Sequence, residues 1–324
     1  MPVLVAVGCS SSLGGLALQR FLRDTTTECW TVYAAHRSHP DPPHLVDTRG
    51  RHRVEWIPLE LESLASVKRF AQRVTPSRVD LLWLNAATWD GTPRVIQLGQ
   101  AAWTREAVVN CIAQHYLVHL LADKLACPLP NSSPEEEEEE DGDCVVERAR
   151  IVWTTSNLHK SIPTLAATPP PLNDGIQSPP EEEEEQNTTT LTTPVTPKQR
   201  YAASKAAQLL SAFYWRRHFS LLEREQRLAD TAREEEEEEE GEEECSSSTG
   251  KGSKGKSGRR TRPVDVVAVS PGFVPATNLS RDSNWFVRWL MRHVVGWFPF
   301  AVSVEEGLWT PSPLGHFPSL SVVL

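Results

Sequence analysis

Short apolar runs alternate with amphipathic stretches along most of the chain. Val3–Val7 is an unbroken apolar run that predicts a first strand, and Gly14–Leu22 follows it at helical spacing. Trp30–Ala35, Val54–Leu59 and Asp80–Leu84 predict further strands. Between the last two, Leu64, Val67, Phe70, Ala71 and Val74 recur at the spacing of one helical face. Trp103–Leu125 predicts a long helix, Arg150–Thr154 a strand, Ala202–Phe219 a helix, and Val264–Val269 a strand dominated by valine and alanine. Short apolar strands separated by helices are the pattern of a parallel sheet covered on both faces. Right-handed crossovers then make a doubly wound α/β sheet in a single domain the expected fold.

Three stretches break this pattern. Residues 131–147 are rich in Ser, Pro and Glu, 167–197 in Pro, Thr and Glu, and 229–262 join a glutamate block to a Gly/Ser/Lys/Arg block. Like charges repel, and few apolar groups offset the entropy of ordering, so these inserts are predicted to be disordered surface loops. Four glutamate runs (Glu135–Glu140, Glu181–Glu185, Glu234–Glu240 and Glu242–Glu244) hold 21 of the 43 acidic residues. The net charge of −10 therefore belongs to the inserts, and the rest of the chain is net positive. The basic tract Lys251–Arg262 has the composition of a nucleic-acid contact, but a solvated loop balancing its acidic neighbour is the simpler reading. No nucleic-acid partner is expected. Six scattered cysteines without a C-x-x-C pair suit reduced thiols in an intracellular protein. Met1–Gly8 lacks the basic lead of a signal peptide, and no apolar run reaches the roughly 20 residues of a membrane span. A soluble, cytoplasmic protein is the expectation.

Candidate chemistry sits where the strands end. Gly8-Cys-Ser-Ser-Ser-Leu-Gly14, with Ser10, Ser11, Ser12 and Leu13 between its glycines, joins the first strand to its helix. Glycines there allow a tight turn and close backbone approach to a pyrophosphate, which the helix N-terminus attracts. Arg37 follows the second strand, where an acidic residue would suit the ribose of NAD and an arginine suits the 2′-phosphate of NADP. Tyr201-Ala-Ala-Ser-Lys205 opens a helix, and the i, i+4 spacing puts phenol and ammonium on one face. A nearby ammonium is expected to lower the phenol's pKa from about 10 toward the range useful for proton transfer. Ser156 stands at the carboxyl end of the strand over Arg150–Thr154, placed to hydrogen-bond a substrate oxygen. Asn110 lies mid-helix among apolar residues and needs a polar partner. His115, His119 and His159 pair with no carboxylate or cysteine at ligand spacing, so no metal site is expected.

Taken in order, these residues resemble the short-chain dehydrogenase/reductase superfamily. Its T-G-x-x-x-G-x-G matches Val7-Gly8 through Gly14, and its N-N-A-G matches Leu84-Asn85-Ala86-Ala87. Its catalytic Asn, Ser and Y-x-x-x-K match Asn110, Ser156, Tyr201 and Lys205. Its P-G after the sixth strand matches Pro271-Gly272, with Val274 and Thr277 following, and Glu60-Leu61 stands where Asp-Leu usually lies near adenine. The resemblance covers Val3 to about Trp309. It implies a Rossmann fold over 1–309 that binds NADP(H) through these positions, and hydride transfer between nicotinamide and a carbonyl or alcohol carbon. Tyr201 then exchanges the proton on oxygen, Lys205 lowers its pKa and holds the nicotinamide ribose, Ser156 polarises the substrate oxygen, and Asn110 positions a relay water. Arg37 and Pro271–Arg281 look like the retinol dehydrogenase and protochlorophyllide reductase branch, and Arg150–Ser156 is similar to 3-ketosteroid reductases. Both imply an apolar substrate of retinoid, sterol or polyketide type. The aromatic segment Trp285–Phe300 suits a lid over such a substrate and peripheral contact with an intracellular membrane.

The chain also departs from that pattern. Ser12 replaces the middle glycine of the cofactor loop, and the insert between Ser156 and Tyr201 is long. Residues 310–324 do not read as a continuing helix and last strand, which predicts an atypical tail and a sheet lacking its usual edge. These departures keep open a second reading, an NADP(H)-binding scaffold without turnover.

Overall fold

A computed structural model of the protein describes residues 1–10, 12–25, 28–37, 50–127, 148–162, 195–244, 261–271 and 321–322. Strands β1 (Val3–Val7), β2 (Thr31–His36), β3 (Arg53–Pro58), β4 (Leu81–Leu84), β7 (Ala149–Thr154) and β8 (Val264–Ser270) form a parallel sheet. Its order is β3-β2-β1-β4-β7-β8, so the chain runs outward from β1 to β3 and then restarts on the other side of β1. That reversal opens a crevice beyond the carboxyl ends of β1 and β4, the place where such sheets bind ligands.

Alternation within each strand divides the core between the two faces. Leu4 and Ala6 face α1 (Ser12–Asp24), packing with Leu18, Phe21, Trp30 and Trp83. Val3, Val5 and Val7 face the opposite layer of α2 (Leu64–Arg73), α4 (Ala113–Leu125) and α5 (Pro197–Glu244), with Phe70, Leu117, Leu121, Trp215 and Phe219. Ser63 caps α2, its hydroxyl accepting from Ser66 N at 3.3 Å. The strands and the first two helices follow the hydrophobic pattern closely.

Four expectations require correction. The helix expected from Trp103 begins instead at α3 (Arg105–Ala107), capped by Thr104. Trp103 belongs to a hairpin of β5 (Val95–Leu98) and β6 (Ala101–Thr104), turned at Gly99 with φ +65° and pairing Ile96 with Trp103. Between α3 and α4 the chain makes one π-helical segment, Val108–Ile112. Second, the stretch 167–197 does not reach 197 as a loop, because α5 starts there. Thr196 and Gln199 form a reciprocal capping box, Gln199 N donating to Thr196 Oγ1 at 3.2 Å and Thr196 N to Gln199 Oε1 at 2.8 Å. Pro197, at the first helical position, needs no partner for an N–H. Third, α5 continues through Glu244, into the stretch 229–262 expected to be a loop. Neither Gly nor Pro interrupts it between Lys198 and Glu240, and Ala, Arg, Leu and Glu are good helix formers. Fourth, the sheet's outer edge is occupied: β9 (Ser321–Val322) pairs antiparallel with Val269 and Ser270. Residues 131–147 and 167–194 lie outside the described residues, as does the aromatic segment 285–300. Among the described residues, no helix is long and apolar enough to cross a membrane.

Candidate active site

The loop after β1 is built for close approach. Gly8 has φ +80°, and a Cβ there would lie 2.3 Å from Ala86 N. A Cβ at Gly14 would lie 2.3 Å from both Gly8 O and Asn85 Nδ2. Asn85 fastens the loop to the end of β4, its N–H donating to Val7 O at 2.8 Å and its Nδ2 to Gly8 O at 2.9 Å. The amino end of α1 opens into this crevice at Ser12, with Ser10 and Leu13 half-buried beside it, while Ser11 lies outside the described residues. Gly8→Ala is expected to cost roughly 1–3 kcal/mol, because the left-handed backbone and the Ala86 contact both oppose a methyl group. A fall in the urea midpoint at unchanged slope would register it.

Arg37 is exposed immediately after β2. Glu60 follows β3; its carboxylate accepts from Glu62 N at 3.3 Å and its backbone N–H donates to Ser66 Oγ, while Leu61 is buried. Pro271 is half-buried beyond β8, and Gly272, Val274 and Thr277 lie outside the described residues.

At the carboxyl ends of β4 and β7 the predicted polar residues converge. Ser156 caps a 3-10 turn over Asn157–Ser161, its Oγ accepting from Leu158 N at 3.3 Å. Its hydroxyl also neighbours the Tyr201 phenol. Tyr201 is buried, and the half-buried Trp89 stacks on its ring at 4.9 Å between centroids. Burial pushes the Tyr201 pKa up, and the Ser156 hydroxyl offsets part of that. This corrects the expectation of a phenol lowered by its lysine. Lys205 Nζ sits 5.8 Å from the ring centroid and donates instead to Thr154 O at 2.9 Å and Gln208 Oε1 at 3.0 Å. Burial lowers its own pKa to about 7.

Asn110 finds its polar partners on the loop after β4. Its Oδ1 accepts from Thr88 N at 2.8 Å, and its Nδ2 donates to Thr88 O at 3.0 Å and Ser204 Oγ at 2.9 Å. Both amide hydrogens are used, so a relay water would have to donate to Oδ1 or to the main-chain carbonyl of Asn110. The structure thus makes Asn110 a clamp between that loop and α5.

Several residues at the site carried no motif. Arg105 donates to Glu62 at 2.5 Å, to Asp90 at 2.7 Å and to Thr88 Oγ1 at 3.0 Å. Burial opposes its charge, but the hydrogen bonds and charges of Glu62 and Asp90 more than offset this, and its pKa rises. Arg200 pairs with the buried Glu106 at 3.4 Å and donates to Asp90 O at 3.0 Å. Burial raises the Glu106 pKa against the opposing pull of Arg200. Trp89 is therefore bracketed by two residues, Thr88 and Asp90, that buried side chains hold in place. Gln114 and Gln208, both fully buried, complete the site. Their signal in the sequence was an amide on an otherwise apolar helical face, four residues after Asn110 and three after Lys205. Among the described residues, no group of three or more His, Cys, Asp or Glu side chains is placed to hold a metal ion.

A doubly wound sheet with a glycine loop at its switch point is the architecture of a Rossmann-type fold. No family model matches the chain. A curated short-chain dehydrogenase/reductase of Pestalotiopsis microspora is 31% identical over 134 residues, covering 38% of this chain and 44% of that protein. The chain thus spans less than half the length of this relative. A short-chain dehydrogenase/reductase from Saccharomyces cerevisiae superposes with a TM-score of 0.51 over 94% of this chain and 86% of its own, at 14% identity. A short-chain dehydrogenase from Sphingobium yanoikuyae in complex with NADPH gives 0.50 over 95% and 81%, also at 14% identity. The chain thus shares the fold of these short-chain dehydrogenases/reductases, and is similar to one of them in sequence over 134 residues.

Proposed function

We propose that this protein is an NADP(H)-dependent oxidoreductase that moves a hydride between nicotinamide and a carbonyl or alcohol carbon of an apolar substrate. The observation that carries this reading is the neighbouring Ser156 and Tyr201, with Lys205 on the same helix as the tyrosine, at the strand ends that also carry the glycine loop. The loop fits a dinucleotide: the left-handed Gly8 and the tight seat of Gly14 bring backbone to the crevice, and the N-terminus of α1 favours a pyrophosphate there. Asn85 and Ala86 line its far side, and an arginine at position 37, exposed just after β2, suits a 2′-phosphate. When bound, the cofactor supplies the hydride chemistry.

The chain's own residues bind, orient and move the proton. Ser156 holds the substrate oxygen beside the phenol, and Tyr201 exchanges the proton on that oxygen. Burial keeps Tyr201 protonated near neutrality, which suits it to donate to a carbonyl oxygen in the direction of reduction. Asn110 acts through Thr88, fixing the loop that carries Trp89 over the Tyr201 ring. The indole face and the ring beneath it suit an apolar carbonyl compound, of retinoid, sterol or polyketide type, better than a highly charged one.

Titration with NADPH and with NADH, followed by nicotinamide fluorescence, tests the cofactor reading. NADPH is expected to bind tighter, and Arg37→Ala to weaken NADPH by about tenfold while leaving NADH unchanged, as loss of a charge-assisted phosphate contact predicts. Binding of neither nucleotide would overturn the proposal.

A further inference from the structure

Lys205 is buried with few charges to answer its own. Among the described residues, the ionisable side chains facing it are Cys111, from the π-helical segment, and Tyr201, from its own helix; burial raises the pKa of both, so both are neutral near pH 7. An ammonium in such a place depends on neutral oxygens. The structure supplies two, Thr154 O and Gln208 Oε1.

That Gln208 presents oxygen, not nitrogen, is forced by a chain of partners. Gln114 Nε2 donates to two backbone carbonyls, Ala86 O at 2.8 Å and Val109 O at 3.0 Å. Its Oε1 must then accept, and it does so from Trp153 Nε1, a group that can only donate, at 3.2 Å. The same oxygen accepts from Gln208 Nε2 at 3.1 Å. With its nitrogen engaged there, Gln208 turns its oxygen toward Lys205, whose ammonium form can only donate. Backbone carbonyls at 86 and 109 thus set the orientation of one amide, which sets the next, which sets the acceptor at the lysine. The relay joins β4, α4, β7 and α5 in a region without solvent to compete for the bonds.

We propose that Gln208, locked by Gln114, is a positioning residue for the reaction: it offers a fixed oxygen that holds Lys205 in its charged form at the end of β7. The proposal rests on the oxidoreductase reading for its consequence in turnover, but the hold on Lys205 is measurable in the cofactor-free protein. Protein labelled with 13Cε-lysine is titrated by NMR, with Lys205→Arg identifying the resonance. The wild-type midpoint is expected near 7, where burial places it. Gln208→Leu removes an acceptor from the ammonium and is expected to lower the midpoint by about one pH unit. Gln208→Glu, of nearly the same shape, supplies a negative charge and is expected to raise it by at least about as much. In the active enzyme, the pH profile of kcat is expected to move in the same two directions, whereas a purely structural role would change its amplitude and not its position. Midpoints that coincide in all folded variants would overturn the hold, and the Glu variant keeps the test available if the Leu variant fails to fold. Shifted midpoints without turnover, together with absent NADPH binding, would overturn the oxidoreductase reading instead.

Discussion

Tyr201→Phe is expected to lose about 10²- to 10⁴-fold in turnover while folding and binding NADPH as the wild type does, the range that removal of a general acid–base group produces. The substitution takes away one oxygen. The ring remains, and with it the stack on Trp89 and the buried packing at the start of α5. Loss of the hydroxyl beside Ser156 costs stability of at most about 1 kcal/mol, the net worth of one hydrogen bond. Chemistry and stability are therefore separated in this variant. Steady-state rates with a carbonyl substrate, set beside the nucleotide fluorescence titration, read the two. Turnover that survives the substitution would remove Tyr201 from the proton path. A wild-type protein that binds NADPH and turns over no carbonyl or alcohol would favour the scaffold reading.

Arg105→Ala is expected to destabilise the fold by about 3–5 kcal/mol, the cost of breaking a buried ion pair from one side. Its side chain is 6% exposed and that of Asp90 4%. Removing the guanidinium strands the Asp90 carboxylate in a site with little water and releases Glu62 and Thr88 as well. The loop that Asn110 clamps and that presents Trp89 loses its second anchor, so nucleotide and substrate binding should weaken along with stability. A urea titration at constant slope measures the loss. Arg20→Ala is the matching control: its pair with Asp24 is exposed on both sides, and the change is expected to stay within about 1 kcal/mol. Equal effects of the two variants would show that the buried network does not hold the loop.

Much of this architecture is legible in local pattern. Val3–Val7, Thr31–His36 and Val264–Ser270 read as strands because β-branched and apolar runs of that length have few other uses in a folded chain. Helix α2 is equally plain from the spacing of Val67, Phe70 and Ala71 and the serine that caps it. The start of α5 is written in the sequence too, as Thr196-Pro197 followed by Gln199, but the Pro/Thr/Glu-rich residues before it hide the box in their composition. The β5–β6 hairpin is different. Ala101–Thr104 fits either a helix or a strand taken alone, and only pairing with Val95–Leu98 selects the strand. The glutamate-rich end of α5 shows the converse, helix propensity prevailing over like-charge repulsion along the axis.

At the site, the same division holds. Gly8, Gly14, Ser156, Tyr201 and Lys205 were readable because each serves a local need: a turn, a helix start, a strand end, a one-turn spacing. Arg105, Glu106, Gln114, Arg200 and Gln208 serve partners far along the chain. Gln208 meets Gln114 across 94 positions, and Arg200 meets Asp90 across 110. The sequence by itself determined the sheet, its glycine loop and the order of the polar residues along it, since propensity and periodicity act over a few residues. Only the tertiary structure decided which buried polar groups meet, what holds the charge of Lys205, and that burial keeps the Tyr201 phenol protonated. The free energies of those groups depend on desolvation and on the partner that compensates it, and both are set by the path of the whole chain.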